Sequence, residues 1–152
     1  MSKQLIKLVP IIILVTIILF AFRVIAQFIE AFVDIPGIPN FEEWHSASVP
    51  YWRLLVTQII ILTFMVVAYY RFHFTQIRKS KLRGEIYLIW GVVYLIAMIS
   101  RHILGLTIYS ETVWFTSFLS IYFHYVLAAF LITIGTAHFT GAKSQDSTSS
   151  SK

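Results

Sequence analysis

Residues 8–34 read LVPIIILVTIILFAFRVIAQFIEAFVD, and the fold is decided there. Leu8 to Phe22 carries no charge, and a helix of about 20 such residues crosses the hydrocarbon core of a bilayer. Its continuation carries Arg23, Gln27, Glu30 and Asp34 at i, i+4, i+7 and i+11, which a helix gathers into one stripe. An ionisable side chain at the membrane centre is unfavourable by about 2.5–3.5 kcal/mol on insertion scales. The stripe therefore requires an offset: a partner helix, a water-filled cleft or a bound ligand.

Composition extends this reading to the whole chain. Of 152 residues, 58% are hydrophobic and 12% charged, with a mean hydropathy of +0.78. Soluble domains carry about 25% charged residues, so the chain reads as a polytopic membrane protein with little mass outside the bilayer. The formal net charge is +5. Its Lys and Arg flank the apolar segments, however, and form no recognition motif, which argues against a nucleic-acid partner. The absence of cysteine excludes thiol relays, thiolate metal sites and covalent C-x-x-C-H haem attachment.

Taken in order, the chain starts with Lys3 and Lys7 ahead of the apolar run. That run is long for a signal peptide and no small-x-small cleavage site precedes Arg23, so an uncleaved first span is expected over about 6–32. Pro36, Gly37, Pro39 and Asn40 then break the helix, and Phe41, Trp44, Tyr51 and Trp52 are aromatics suited to headgroup depth. The stretch 34–50 reads as a cap folded over the end of the bundle. Further spans are expected over about 51–74, 85–109 and 113–139, the last two joined by a turn at 110–112. Arg71, Arg78, Lys79, Lys81 and Arg83 crowd the second connection and place it in the cytoplasm, with both termini, leaving the cap outside. Arg78, Lys79, Lys81 and Arg83 would also attract anionic inner-leaflet lipid, by on the order of 1 kcal/mol per charge. The Ser-rich stretch 141–152 reads as a disordered cytoplasmic tail to a transmembrane domain of residues 1–140. Trp44, Trp52, Trp90 and Trp114 read as anchors in the interfacial belts.

With this topology, hydrogen-bonding groups from all four spans meet at one depth in the outer half. Arg23, Gln27 and Glu30 come from the first span, Arg53 and Gln58 from the second, Arg101 and His102 from the third, and His124 from the fourth, under a lid of Trp44 and His45. Ser117, Ser120, His124, Ala128, Gly135 and His138 share one face of the fourth span, as close helix packing in lipid requires. The cluster reads in three ways. It is an internal network that fixes helix register, for example by pairing Glu30 with Arg101 or Arg53. It is a pocket for a lipid- or quinone-type guest, whose anionic headgroup or carboxylate the arginines would favour. Or it is the acid–base site of an enzyme acting on an anionic lipid-like substrate, with His45, His102, His124 and Glu30 as candidate groups.

His124 and His138 stand 14 residues apart on one helix, about 21 Å, and nearly on one face. His102 lies near the depth of His124 and His73 near that of His138, so His73/His138 and His102/His124 are candidate axial pairs. The stretch His124-Tyr-Val-Leu-Ala-Ala-Phe, with Ala137-His138-Phe further on, resembles the last helix of bacterial cytochrome b-type membrane proteins with four spans. The resemblance implies b haem and electron exchange with quinone. Such proteins would also place ligands on the first helix, and the first span here has no histidine.

The sequence thus predicts an all-α bundle of four transmembrane helices in a bacterial-type cytoplasmic membrane, with a Pro- and Trp-containing cap between the first two. So small a membrane domain is expected to work as a homo-oligomer or within a larger membrane complex. The first functional expectation is a non-catalytic accessory subunit or lipid/quinone-type binder. Dihaem electron transfer and lipid-directed catalysis are the alternatives.

Overall fold

The computed structural model describes residues 3–34, 36–37, 39, 41–44, 49–74 and 80–149, with the backbone alone at 3–7, 42–43, 72 and 140–149. The described elements are helical: α1 (Lys3–Glu30), α2 (Phe41–Trp44), α3 (Tyr51–Phe74), α4 (Lys81–Thr107), α5 (Val113–Thr116) and α6 (Phe118–Ser149). Within these, Leu8–Glu30, Tyr51–Arg71, Lys81–Thr107 and Phe118–Phe139 are long and apolar enough to cross a membrane. Their outward faces carry side chains such as Ile11, Ile18, Ile60, Phe64, Ile89 and Ile96, more than half exposed. Exposed apolar surface of this extent is compatible with a lipid bilayer.

Close approach runs α3–α1–α6–α4, neighbours being antiparallel; α2 touches α1 and α6, and α5 touches α4. Among the described residues α3 makes no close backbone approach to α4 or α6. Accordingly 39% and 44% of the α1 and α6 spans are buried, against 11% for α3 and 17% for α4. The four helices form a row, folded enough for Met65 of α3 to join Val9, Ile13, Ile17 and Phe20 of α1 and Phe130 and Ile134 of α6 in one core.

The sequence explains why α1 and α4 turn the faces they do. In α1 seven of the buried positions, 9, 13, 16, 20, 23, 27 and 30, are spaced alternately by four and three residues, with 17, 24 and 26 beside them. That is the seam of a left-handed helix pair, apolar at Val9 and Ile13 and polar at Arg23, Gln27 and Glu30. In α4 the same spacing runs through Gly84, Tyr87, Gly91, Tyr94, Met98, Arg101 and Gly105, all buried or half-buried. Three of these are glycines: Gly84 and Gly91 let α6 come to backbone contact, and Gly105 does the same for Phe115 of α5. A methyl group at Gly84 would stand 2.8 Å from Phe139 Cα, and one at Gly135 would stand 2.7 Å from Leu88 N.

Several boundaries differ from the sequence expectation. Helix α1 ends at Glu30, where the Ala31 N–H reaches Gln27 O (3.1 Å) and the Val33 N–H reaches Ile29 O (2.9 Å), ahead of Pro36 and of Gly37 with φ +96°. Helix α4 begins at Lys81 rather than near 85, because Lys81 and Glu85 support its first turn as an i,i+4 pair (3.8 Å). The fourth span is not one helix from Val113: the extended ψ of 87° at Ser117 separates α5 from α6. Helix α6 runs on past the span to Ser149.

Candidate functional site

Gln27 on α1 is fully buried, and its Oε1 accepts a hydrogen bond from Gln58 Nε2 of α3 at 2.9 Å. This bond joins the two helices. It also leaves Gln27 Nε2 and Gln58 Oε1 buried without a hydrogen-bond partner among the described residues. Turning both amides over changes nothing essential, because one NH2 and one carbonyl oxygen are left over in either arrangement. One turn away on the same stripe, Arg23 is buried, lies over the Phe123 ring (5.1 Å from Cζ to centroid), and keeps its Nε unpartnered among the described residues. Each such group, left unsatisfied, is unfavourable by about 1–3 kcal/mol.

Around this core stand polar groups of the α4–α6 seam. The Tyr94 hydroxyl and His124 Nδ1 are 2.5 Å apart, and His102 Nδ1 and the Tyr125 hydroxyl are 3.0 Å apart. Arg23, Tyr94, Arg101 and His124 are close enough to act on one another electrostatically. Arg101 is buried and donates through Nε (3.0 Å) and Nη2 to the carbonyl oxygen of Trp114, whose ring lies 4.2 Å from its Cζ. That carbonyl belongs to α5, just before the break at Ser117, so the guanidinium serves the helix end that the break opens. Arg101 thus turns to a backbone carbonyl and an indole, not to the carboxylate of Glu30.

Trp44 is buried, not set in an interfacial belt. Its indole stacks near Phe123 (6.0 Å), meets Phe22 edge-on (6.4 Å) and donates from Nε1 to Pro39 O (2.7 Å). A large ring beside an apolar pocket with its N–H satisfied belongs to the core. Trp52 and Trp90 are exposed, as belt anchors are. Glu30 is buried on the α1 stripe, whereas Asp34 lies past the helix end and is exposed. Arg53 does not join the cluster: it is exposed and lies over Trp52 (5.2 Å). At the mouth of α3, where the flank of that helix is open, its charge gains more from solvent and an indole face than from burial. His45 lies outside the described residues, as do Arg78 and Lys79.

The histidines do not face one another as axial pairs. His102 and His124 each bond a tyrosine on the facing helix, and the glycine contacts at 84, 91 and 135 bring α4 and α6 together with no slot for a macrocycle along that seam. His73 is exposed and stacks on Tyr69 (5.5 Å), while the buried His138 stacks on Tyr87 (6.1 Å). These residues do not fit a haem. Among the described residues no three His, Asp or Glu side chains gather as a metal site.

Tyr94 and Tyr125, which occupy both seam histidines, are absent from the sequence reading. Their signal is the spacing in α4: Tyr87, Tyr94 and Arg101 recur every seven residues beside Gly84, Gly91 and Gly105, so Tyr94 must share the face of Arg101. Comparison with protein-family models, with curated proteins and with solved structures gives no match.

Proposed function

We propose that this small helical membrane protein is a non-catalytic binding module for a lipid- or quinone-type guest whose polar head sits at Arg23, Gln27 and Gln58. The observation that carries the reading is the unmet demand of the glutamine pair. Two buried amides and a guanidinium offer N–H donors and one acceptor that the described residues do not use. A quinol-type head, with oxygens to accept and an O–H to donate, answers that demand. The arginines also favour a carboxylate or headgroup oxygen there. Among the described residues both nearby histidines spend a ring nitrogen on a tyrosine of the facing helix, and we read the site as binding rather than catalytic. The Lys and Arg content of the Arg71–Arg83 end supports a cytoplasmic placement of that end and of both termini, with the glutamine pair in the outer half. The protein would act as an accessory component beside other membrane proteins or further copies of itself.

The test is purification in mild detergent, organic extraction of co-purified small molecules, and thermal unfolding with a short-chain ubiquinol analogue. A co-purifying guest or a raised melting temperature is expected for the natural protein, and neither for Gln27→Leu/Gln58→Leu. If the natural protein carries no guest and the analogue leaves its melting temperature unchanged, the reading is wrong.

A further inference from the structure

At the opposite end of the row, α3 stands away from α4 and α6 and leaves an open cleft between the three helices, a cavity of about 120 Å³. Its apolar lining includes the exposed Phe64 of α3 and the buried Ile134 of α6. Its rim carries Arg71 of α3 and Arg83 of α4, with Tyr87 and His138 as the wall between them. Among the described residues no acidic side chain lines it, and the nearby Glu85 pairs with Lys81 instead. A cleft with two guanidinium groups at its mouth and hydrocarbon below matches a molecule with an anionic head and an apolar tail. Arg83 also sits in the first turn of α4, whose N-terminal end adds positive potential.

We infer that this cleft is a specific seat for an anionic phospholipid, the phosphate bridging Arg71 and Arg83 and an acyl chain lying between α3 and α6 against Phe64 and Ile134. The occupant stands where α3 lacks helix contacts, so it completes the packing of that helix. This differs from diffuse attraction to the basic connection. A surface potential asks only for charge, whereas the cleft asks for both arginines and for empty space beneath them. It is independent of the guest at Gln27 and Gln58.

The test is native mass spectrometry of the full chain titrated with phosphatidylglycerol and, separately, phosphatidylcholine. The natural protein should retain phosphatidylglycerol in preference to phosphatidylcholine. Arg71→Gln/Arg83→Gln, at exposed positions that leave folding intact, should weaken its retention by about thirtyfold, at on the order of 1 kcal/mol per arginine. Arg53→Gln, at the other end, should not change it. Ala68→Trp, which fills the cleft and keeps both charges, should also release the lipid. Equal retention of the two lipids, or full retention by the double Gln variant, overturns the proposal. Should a monodisperse Ala68→Trp protein keep the lipid, attraction is only diffuse and the seat does not exist; if that variant does not fold, Lys81→Gln, which removes one charge from the same end outside the cleft, decides, because a loss equal to that of Arg83→Gln alone would mean diffuse attraction.

Discussion

Of the three seams in this row of helices, the two outer ones are built on different physics. Between α4 and α6, glycines at 84, 91 and 135 bring backbones into contact, Tyr94 pairs with His124 and His102 with Tyr125, while Arg101 ties α4 to Trp114 O of α5. Between α1 and α3 the tie is one amide–amide bond that leaves a donor and an acceptor over. In lipid, helices gain little from burying apolar surface, so shape and hydrogen bonds decide association. The first seam satisfies both and has no reason to open. The second leaves a buried donor and acceptor over, and the proposed function rests on that difference.

The α4–α6 seam should break most severely. Replacing a helical glycine by alanine ordinarily stabilises a helix by about 1 kcal/mol. At Gly135 the added methyl would meet backbone, Leu88 N at 2.7 Å and Gly84 O at 3.1 Å, so the helices must separate. Gly135→Val should therefore destabilise by about 3 kcal/mol, near the upper end of overpacking, and Gly135→Ala should also lose stability. Thermal unfolding in detergent measures both. An alanine variant that melts at or above the natural protein would show that the seam is not close.

Arg101→Leu ranks next. It strips Trp114 O of its charged donor at the opening of α6 and should lower stability by about 2 kcal/mol. Arg101→Lys, a single ammonium in place of a two-pronged donor, should recover only part of that loss.

The glutamine seam sharpens the comparison through a cycle. Gln27→Leu or Gln58→Leu alone leaves a buried amide without its partner and should destabilise by about 1–2 kcal/mol in guest-free protein. The double replacement removes both and should come back close to the natural stability, giving a clear coupling. If the single variants and the double variant all melt like the natural protein, the two amides are not bonded across the seam.

What the sequence made legible follows the strength of each signal. The spans were readable because an apolar stretch of membrane length has few other uses, and the α1 stripe because Arg23, Gln27 and Glu30 keep helical spacing to the last turn. The pairing of α1 with α3 through Gln58 was readable only as a shared depth, since periodicity gives a residue's face but not its partner. Arg53 was misjudged for that reason: it has the right depth and the wrong environment. Trp44 carried two readings, lid of the cluster and belt anchor, and the sequence could not choose because its packing rests on Phe22 and Phe123, distant in sequence. The break at Ser117 left no proline or glycine to announce it, and the Arg101 side chain that serves it lies on another helix.

The smallest expected effect tests the boundary of the α1–α3 site. Arg53 sits within a turn and a half of Gln58 on α3, yet it faces out and lies over an indole that is itself 63% exposed. An exposed cation–π contact contributes about 0.5–1 kcal/mol, and part of it survives as apolar contact when the charge is removed. Arg53→Gln should therefore shift stability by no more than about 0.5 kcal/mol and leave guest retention at Gln27 and Gln58 unchanged. A larger loss of stability, or loss of the guest, would mean that the guanidinium turns inward in the bilayer and that α3 shares in the electrostatics of the site. Then the two seams would differ less than their packing indicates, because both would rest on buried arginine.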